Sequence, residues 1–253
     1  MLMSIGLIIW LLVSLVTMGT VCFIVAMLYW AFPNAFLHKV MWLLYTSWVM
    51  MLQWWVKRLV PIEEIFDNSM PKNRHYVVIA NHYSWLDILV LYATVFSPER
   101  AFVFVMKRSL IRIPMIGLVC WGLGHPLLYR GRSRRKNLKV LKEAVQKAKD
   151  YGYGMLIFPE GTRYTKVEKV SDYRNLLNPK TVGFEYIIKQ FESDVPVVDV
   201  TLDYAKGTHG IWDFLMGRIG PTKVYASVSS VAVDHAKEFI LAKWQQKDAL
   251  LDQ

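Results

Sequence analysis

The sequence predicts an α/β fold, with a mixed, largely parallel sheet covered by helices, joined to an N-terminal hydrophobic two-helix membrane anchor. Three observations carry this. From Tyr76 onward, short apolar runs of strand type alternate with stretches of helical periodicity. From Met1 to Leu37 no side chain is charged. Between these regions lies a polar stretch, Glu63 to Arg74, with Pro61 just before it and Pro71 within it, which reads as a linker. The expected division is therefore an anchor over residues 1–60 and an α/β domain over 61–253.

In the anchor, Ile5 to Trp30 alone is long enough to cross about 30 Å of hydrocarbon at about 1.5 Å per residue. It has neither a basic n-region nor a small-residue cleavage site, so it is expected to be retained. A second apolar stretch, Val40 to Val56, carries Trp42, Trp48, Trp54 and Trp55. Tryptophan favours the headgroup boundary, although each ring also suits plain lipid or core packing. This stretch either crosses the bilayer or lies in its interface as an amphipathic helix. Lys57 and Arg58 close it and favour a cytoplasmic position for the domain beyond them.

The domain then reads in order. Tyr76 to Ala80 is a buried strand and Asp87 to Phe96 a helix. Ala101 to Met106 is a strand, Pro114 to Leu123 a short helix, and His125 to Tyr129 a third strand. Ser133 to Tyr151 is helical, with Leu138, Leu141, Val145 and Ala148 on one face. Met155 to Phe158 is a strand and Thr181 to Phe191 a helix. Val195 to Leu202 and Lys223 to Ser229 are further strands. A last helix starts at Asp234, taken as its N-cap.

Composition narrows the function classes. The chain has 253 residues, 54% hydrophobic and 14% aromatic, with a formal charge of +10 that belongs almost wholly to the part from Lys57 onward. A basic domain behind an apolar segment suits anionic lipids and phosphorylated substrates. Nucleic acid would satisfy the charge but leaves the N-terminus unexplained. Two cysteines, Cys22 and Cys120, form no disulfide framework and suit a reducing compartment as small core residues. No paired Cys/His spacing suggests a metal.

Two motifs carry chemistry. His82 and Asp87 lie in Asn81-His82-Tyr83-Ser84-Trp85-Leu86-Asp87, directly after a strand. A five-residue step turns about 500° on a regular helix, so the pair meets only if His82 occupies the turn and Asp87 the first helical turn. There the carboxylate fixes the tautomer of the imidazole, which then serves as a general base. Ser84-x-x-Asp87 is equally a capping-box-like helix start, and spacing alone does not choose between the two. The second motif, Phe158-Pro159-Glu160-Gly161-Thr162-Arg163, puts a tight turn after a strand. Gly161 permits close backbone approach, Thr162 offers a hydroxyl, and Arg163 a planar fork for phosphate. Alone it also fits a simple turn with a surface arginine. Gly124 to Arg130 is another strand ending in arginine. Arg132, Arg134, Arg135, Lys136 and Lys139 beyond it suit a solvated face, or contact with anionic headgroups or an acidic acyl donor.

Taken together, these blocks resemble the glycerolipid acyltransferases that make phosphatidic acid from lysophosphatidic acid. The shared pattern is His82-x4-Asp87, then Gly124 to Arg130, then Phe158 to Arg163, then the apolar Val195-Pro196-Val197-Val198. Lys107, Leu110, Pro114 and Gly117 match a further Lys-x-x-Leu-x-x-x-Pro-x-x-Gly stretch. The resemblance spans about residues 60 to 230. It implies that His82 is the base, that Asp87 orients it, and that Lys107, Arg130, Glu160, Gly161, Thr162 and Arg163 bind the acceptor. It also implies transfer from acyl-CoA or an acyl carrier protein, as co-substrate, to the sn-2 hydroxyl of lysophosphatidic acid, without cofactor, metal or acyl-enzyme. Asp199 in Val198 to Tyr204, and the run Leu177 to Phe184, resemble instead the branch with lysocardiolipin and lysophosphatidylinositol acyltransferases, so another lysophospholipid is an alternative acceptor. Expected partners are membrane lipids, a lysophospholipid and a thioester donor, with no nucleic acid. The expected location is the inner or cytoplasmic membrane, with the catalytic domain cytoplasmic. Rival readings are a non-catalytic protein that binds anionic membranes, and a transacylase that works without a thioester.

Overall fold

The structure is a computed structural model. It describes the whole chain except residues 1, 68–69, 72–74, 113–115, 130, 132–133, 165–170, 192–193 and 206–209. Two long helices open it, α1 (Leu2–Ala31) and α2 (Ala35–Leu59), the second capped by the Asn34 side chain, which accepts the Leu37 N–H at 2.9 Å. The strands beyond them are β1 (Ile62–Phe66), β2 (Val77–Ala80), β3 (Phe102–Phe104), β4 (Met106–Lys107), β5 (Leu127–Leu128), β6 (Gly154–Ile157), β7 (Val195–Tyr204) and β8 (Thr222–Val231). Interleaved are α3 (Leu86–Thr94), α4 (Ile116–Gly122), α5 (Arg134–Tyr151), α6 (Thr181–Phe191), the short α7 (Ile211–Leu215) and the final α8 (Ala236–Leu251).

Six strands form the main sheet in the order β1-β8-β7-β2-β6-β3. All neighbours are parallel except β7 and β8, so the sheet is mixed and largely parallel, as expected. The central strands β2 and β6 are buried at every position, which their unbroken apolar runs dictate. Chain path fixes where a site can form. From β2 the chain passes through α3 toward β3, whereas from β6 it passes through α6 toward β7 on the other side of β2. Adjacent parallel strands whose connections diverge leave a crevice at their C-terminal ends, the usual ligand position in open α/β sheets.

Helices cover both faces. On one, α5, α6 and α8 bury Leu141, Val145, Ile187, Ile188, Ile240 and Trp244 against Val77, Ile79 and Met155. On the other, α3 lies under α2. Met41, Tyr45, Val49, Leu52 and Val56 of α2 join the same core cluster as Leu86, Leu91, Val78 and Phe102. Full burial of an aliphatic side chain such as Leu52 or Val56 contributes about 1.5–3 kcal/mol relative to exposure. The buried positions follow the helical period, so α2 has one face on the sheet domain while Phe36, Leu43, Met50 and Trp54 face outward. Residue 60 therefore marks a change in composition, and packing runs across it. Among the described residues, Ala35–Leu59 is long and apolar enough to cross a membrane, and α1 contributes the shorter apolar stretch Val16–Ala31.

Several expectations need correction. The stretch from Glu63 is not a linker throughout: Ile62–Phe66 is an edge strand, in register with Thr222–Ala226 of β8. Glu63 and Glu64 are exposed there, as an edge tolerates, and the partner strand is too distant in sequence to be read locally. The strand expected over Ala101 to Met106 splits. Phe102–Phe104 stays in the main sheet, while Met106–Lys107 pairs with Leu127–Leu128 in a separate two-stranded sheet. Asp234 does not cap the last helix; it lies in a 3-10 turn, Val233–His235, and the helix begins at Ala236.

Candidate active site

His82 occupies the turn between β2 and α3, and Asp87 is the second residue of α3. Asp87 Oδ2 lies 2.7 Å from His82 Nδ1. The same oxygen accepts the backbone N–H groups of Tyr83 at 2.7 Å and Ser84 at 2.9 Å. It therefore meets the ring as an acceptor, Nδ1 is the donor, and Nε2 is left with its lone pair. One carboxylate thus both ties down the first turn of the helix and orients the imidazole, although the helix N-cap is Trp85 and no side chain caps it. Tyr204 donates its O–H to Asp87 Oδ1 at 2.8 Å. Burial, then the neighbouring Asp87, pushes the Tyr204 hydroxyl well above its ordinary value, so it remains a donor at neutral pH. Asp87 is fully buried, while the His82 side chain keeps 18% of its exposure, enough for substrate contact.

The second motif is built onto the first. Phe158 stacks on the His82 ring, centroids 4.1 Å apart and planes 19° from parallel. Glu160 Oε1 accepts the His82 backbone N–H at 2.9 Å, and Tyr164 N–H donates to the His82 carbonyl at 2.7 Å. The segment from Glu160 to Tyr164 thereby grips His82 on both sides of its Cα. Glu160 is buried, and its Oε2 accepts the Leu177 N–H at 3.3 Å. Its carboxylate is thus engaged with the backbone of His82 and of Leu177. Gly161 takes φ +68°, where a side chain is strained, and the Lys180 ammonium comes within 2.8 Å of where its Cβ would stand. Thr162 and Arg163 are exposed at the mouth of this turn.

Lys107 lies beyond β3 at the same end of the sheet, exposed on β4. It lines a cleft of about 470 Å3 together with Arg108, Arg112 and Tyr129, with Arg108 over the Tyr129 ring at 4.6 Å. Ile111, which also lines the cleft, packs so closely on Gly117 that a Cβ there would stand 2.3 Å from the Ile111 carbonyl oxygen. Arg130 lies outside the described residues. Among the described residues no group of His, Cys, Asp and Glu is arranged to hold a metal.

The site also rests on residues that local sequence patterns do not single out. Asn81 bridges to β7, donating to the Leu202 carbonyl at 2.9 Å and accepting its N–H at 2.8 Å. His125, in the block from Gly124, is buried and accepts the Phe104 N–H through Nδ1 at 3.2 Å. Burial pushes its imidazole down to about 3 from 6.5. Between those values the unfolded chain binds a proton that folded His125 refuses, so stability falls as pH drops below 6.5. At pH 5 one such histidine costs about 2 kcal/mol. Denaturant unfolding at pH 7 and pH 5 should show His125→Asn losing about that much less than wild type on acidification.

A family model described as Acyltransferase matches residues 62–203, more than half of the chain. The chain belongs to the Acyltransferase family. The glycerolipid acyltransferase resemblance is borne out at this level. The protein named 1-acyl-sn-glycerol-3-phosphate acyltransferase 2 in Arabidopsis thaliana is 28% identical over 244 residues, covering 87% of this chain and 61% of that protein. The chain thus spans about three fifths of that relative's length. The mouse 1-acyl-sn-glycerol-3-phosphate acyltransferase alpha is 34% identical over 97 residues, which are 38% of this chain and 32% of that one. In fold, the chain is similar to the crystal structure of the 1-acyl-sn-glycerophosphate acyltransferase PlsC from Thermotoga maritima. That match has a TM-score of 0.54 and 17% identity, and covers 92% of this chain and 97% of the other. The acyltransferase match takes in β1 through most of β7, and so includes His82, Asp87 and the Glu160–Arg163 turn.

Proposed function

We propose that this acyltransferase moves a fatty acyl group from acyl-CoA or an acyl carrier protein to the sn-2 hydroxyl of lysophosphatidic acid. The observation that carries the reading is the joining of the two motifs: an Asp87-oriented imidazole held in the grip of the Phe158–Tyr164 segment. In the reaction His82 Nε2 takes the proton of the acceptor hydroxyl as its oxygen attacks the thioester carbonyl. The C–O ester bond forms, the C–S bond breaks, and His82 returns the proton to the departing thiolate. General-base assistance of this type is worth about 10²- to 10⁴-fold. Arg163, Thr162 and Lys107 are the acceptor-phosphate ligands, with Arg130 assigned alongside them from its motif position. Glu160 and Gly161 shape the turn that presents them. Relatives named for 1-acyl-sn-glycerol-3-phosphate support this choice of acceptor.

The alternative acceptors rest partly on Asp199. Its carboxylate is 2.6 Å from Lys247 Nζ, so this residue also helps dock α8 on the sheet, a contact that suits either acceptor. Membrane association belongs to the same reading, through α2 and the exposed apolar residues Val21, Met27, Trp30, Phe36, Leu43 and Trp54, with the site on the cytoplasmic side.

The test is an acceptor panel with one labelled thioester donor in detergent, read by product mass. Lysophosphatidic acid should give phosphatidic acid at least tenfold faster than lysophosphatidylglycerol, lysophosphatidylinositol or lysocardiolipin. A faster product from any of the other three would replace the acceptor named here.

A further inference from the structure

The last helix lies beyond the residues that match the family model, yet it reaches the catalytic turn through an unbroken set of hydrogen bonds. Asp248 of α8 accepts the backbone N–H of Asn175 at 2.7 Å through Oδ1 and that of Arg174 at 2.8 Å through Oδ2. Four residues earlier on the same helix, the fully buried Trp244 donates its indole N–H to the Leu177 carbonyl at 2.9 Å. The helix thereby fixes the loop from Arg174 to Leu177. That loop leads to the base by two routes. The Leu177 N–H meets Glu160 Oε2 at 3.3 Å, and Glu160 Oε1 accepts the His82 N–H at 2.9 Å. The Asn175 carbonyl accepts the Tyr83 O–H at 3.1 Å, and Tyr83 N–H donates to the Asp87 oxygen that orients His82.

The helix is in turn anchored to the sheet. Lys247, almost fully buried, pairs with Asp199 of β7, donates to Thr201 Oγ1 at 3.2 Å and also donates to the Val200 carbonyl. Burial lowers the Lys247 ammonium below its ordinary value, the neighbouring Asp199 carboxylate opposes that shift, and the weaker effects of Lys243 and Glu160 act in opposite directions. Loops near an active site are ordinarily mobile, so a loop that holds two catalytic-turn groups needs a rigid support. Here α8 is that support.

We propose that α8 is part of the catalytic apparatus, with Asp248 and Trp244 as positioning residues that hold the loop from Arg174 to Leu177 and, through Glu160 and Tyr83, set the orientation of His82. This rests on the proposed acyl transfer, because His82 must be the base for its orientation to matter. The prediction is a loss of turnover without a matching loss of acceptor binding. A misplacement near 1 Å costs up to about 10²-fold in rate.

The test compares Asp248→Ala, Asp248→Asn and Trp244→Phe with wild type and with Gln246→Ala, an exposed position on the same helix. Three quantities are measured on the full chain in detergent: kcat and KM for the acceptor, Tm, and the rate at which diethyl pyrocarbonate modifies His82, followed by peptide mass. Asp248→Ala should lower kcat about 10- to 100-fold with KM within about threefold. His82 modification should change while Tm stays above the assay temperature. Asp248→Asn, which keeps one acceptor oxygen, and Trp244→Phe, which loses the indole N–H and the bulk of one of its two buried rings, should fall between Asp248→Ala and wild type in kcat, with any packing loss in Trp244→Phe read separately from Tm. Gln246→Ala should match wild type. A kcat for Asp248→Ala within twofold of wild type overturns the inference. So does a loss that follows the unfolded fraction, with His82 reactivity per folded molecule unchanged. If wild type turns over no donor with any acceptor, the acyl-transfer reading fails instead, and the His82 modification rates still decide whether α8 positions the imidazole.

Discussion

Replacing His82 with Ala lowers acyl transfer about 10³-fold, Asp87→Asn lowers it about 10²-fold, and the double variant is no worse than His82→Ala alone. The reasons are geometric. In the proposed reaction His82 supplies the nitrogen that takes the acceptor proton, so its loss removes base catalysis outright. Asp87→Asn is the milder change because the site can accept an amide. The side-chain oxygen still receives Nδ1 and the N–H groups of Tyr83 and Ser84, and the amide nitrogen turns toward the Tyr204 hydroxyl, which has lone pairs to accept it. What disappears is the negative charge that stabilises the imidazolium formed during the reaction. Because that charge acts only through His82, it has no effect once the ring is gone. Initial rates of thiol release for the three variants check this, and a double variant substantially slower than His82→Ala would give Asp87 a role independent of the ring.

The second large effect comes from Glu160. Its carboxylate is buried, and each oxygen accepts a backbone N–H, from His82 and from Leu177. Glu160→Ala leaves both donors without their partner, at about 1–3 kcal/mol each where they remain dry. It also frees the His82 backbone on one side while Tyr164 still holds the other. Activity should fall about 10²-fold and Tm should drop, because the group braces both the fold and the base. Glu160→Gln keeps one acceptor but aims an N–H2 group at a backbone N–H, so it should recover little. If instead Glu160 met substrate directly, Glu160→Ala would raise KM with Tm unchanged; measuring KM, kcat and Tm together separates the two roles.

Much of this is legible in the sequence, and the remainder is hidden for a physical reason. Buried strands such as Val77–Ala80 and Gly154–Ile157 show themselves as apolar runs, and α5 shows its buried face through its period. His82 and Asp87 are near neighbours in sequence, so a turn leading into a helix start is enough to bring them together. The partners that complete the site are long-range. Tyr204 lies 117 positions from Asp87, and Glu160 lies 78 from His82. No local period encodes such pairings. Strand β1 escapes a local reading because its partner, β8, lies far along the chain, whereas β4 and β5 fall largely within the runs read as strands over Ala101 to Met106 and His125 to Tyr129, and only their pairing in a separate sheet has no local sign. The composition of α2 advertises a membrane, and only the packed structure shows that Met41, Val49 and Val56 also form part of the domain core. Asp199 reads in the sequence as a sign of a different acceptor, and only the packed structure shows that it also pairs with Lys247 on α8.

The central claim is that an acceptor hydroxyl, deprotonated by His82, takes the acyl group. The most direct measurement is free-thiol release by wild type and His82→Ala, in detergent, with and without lysophosphatidic acid. The account predicts release that needs the acceptor, equals the phosphatidic acid formed, and slows about 10³-fold in the variant. Release by His82→Ala within tenfold of wild type, or equal release with no acceptor present, would contradict it.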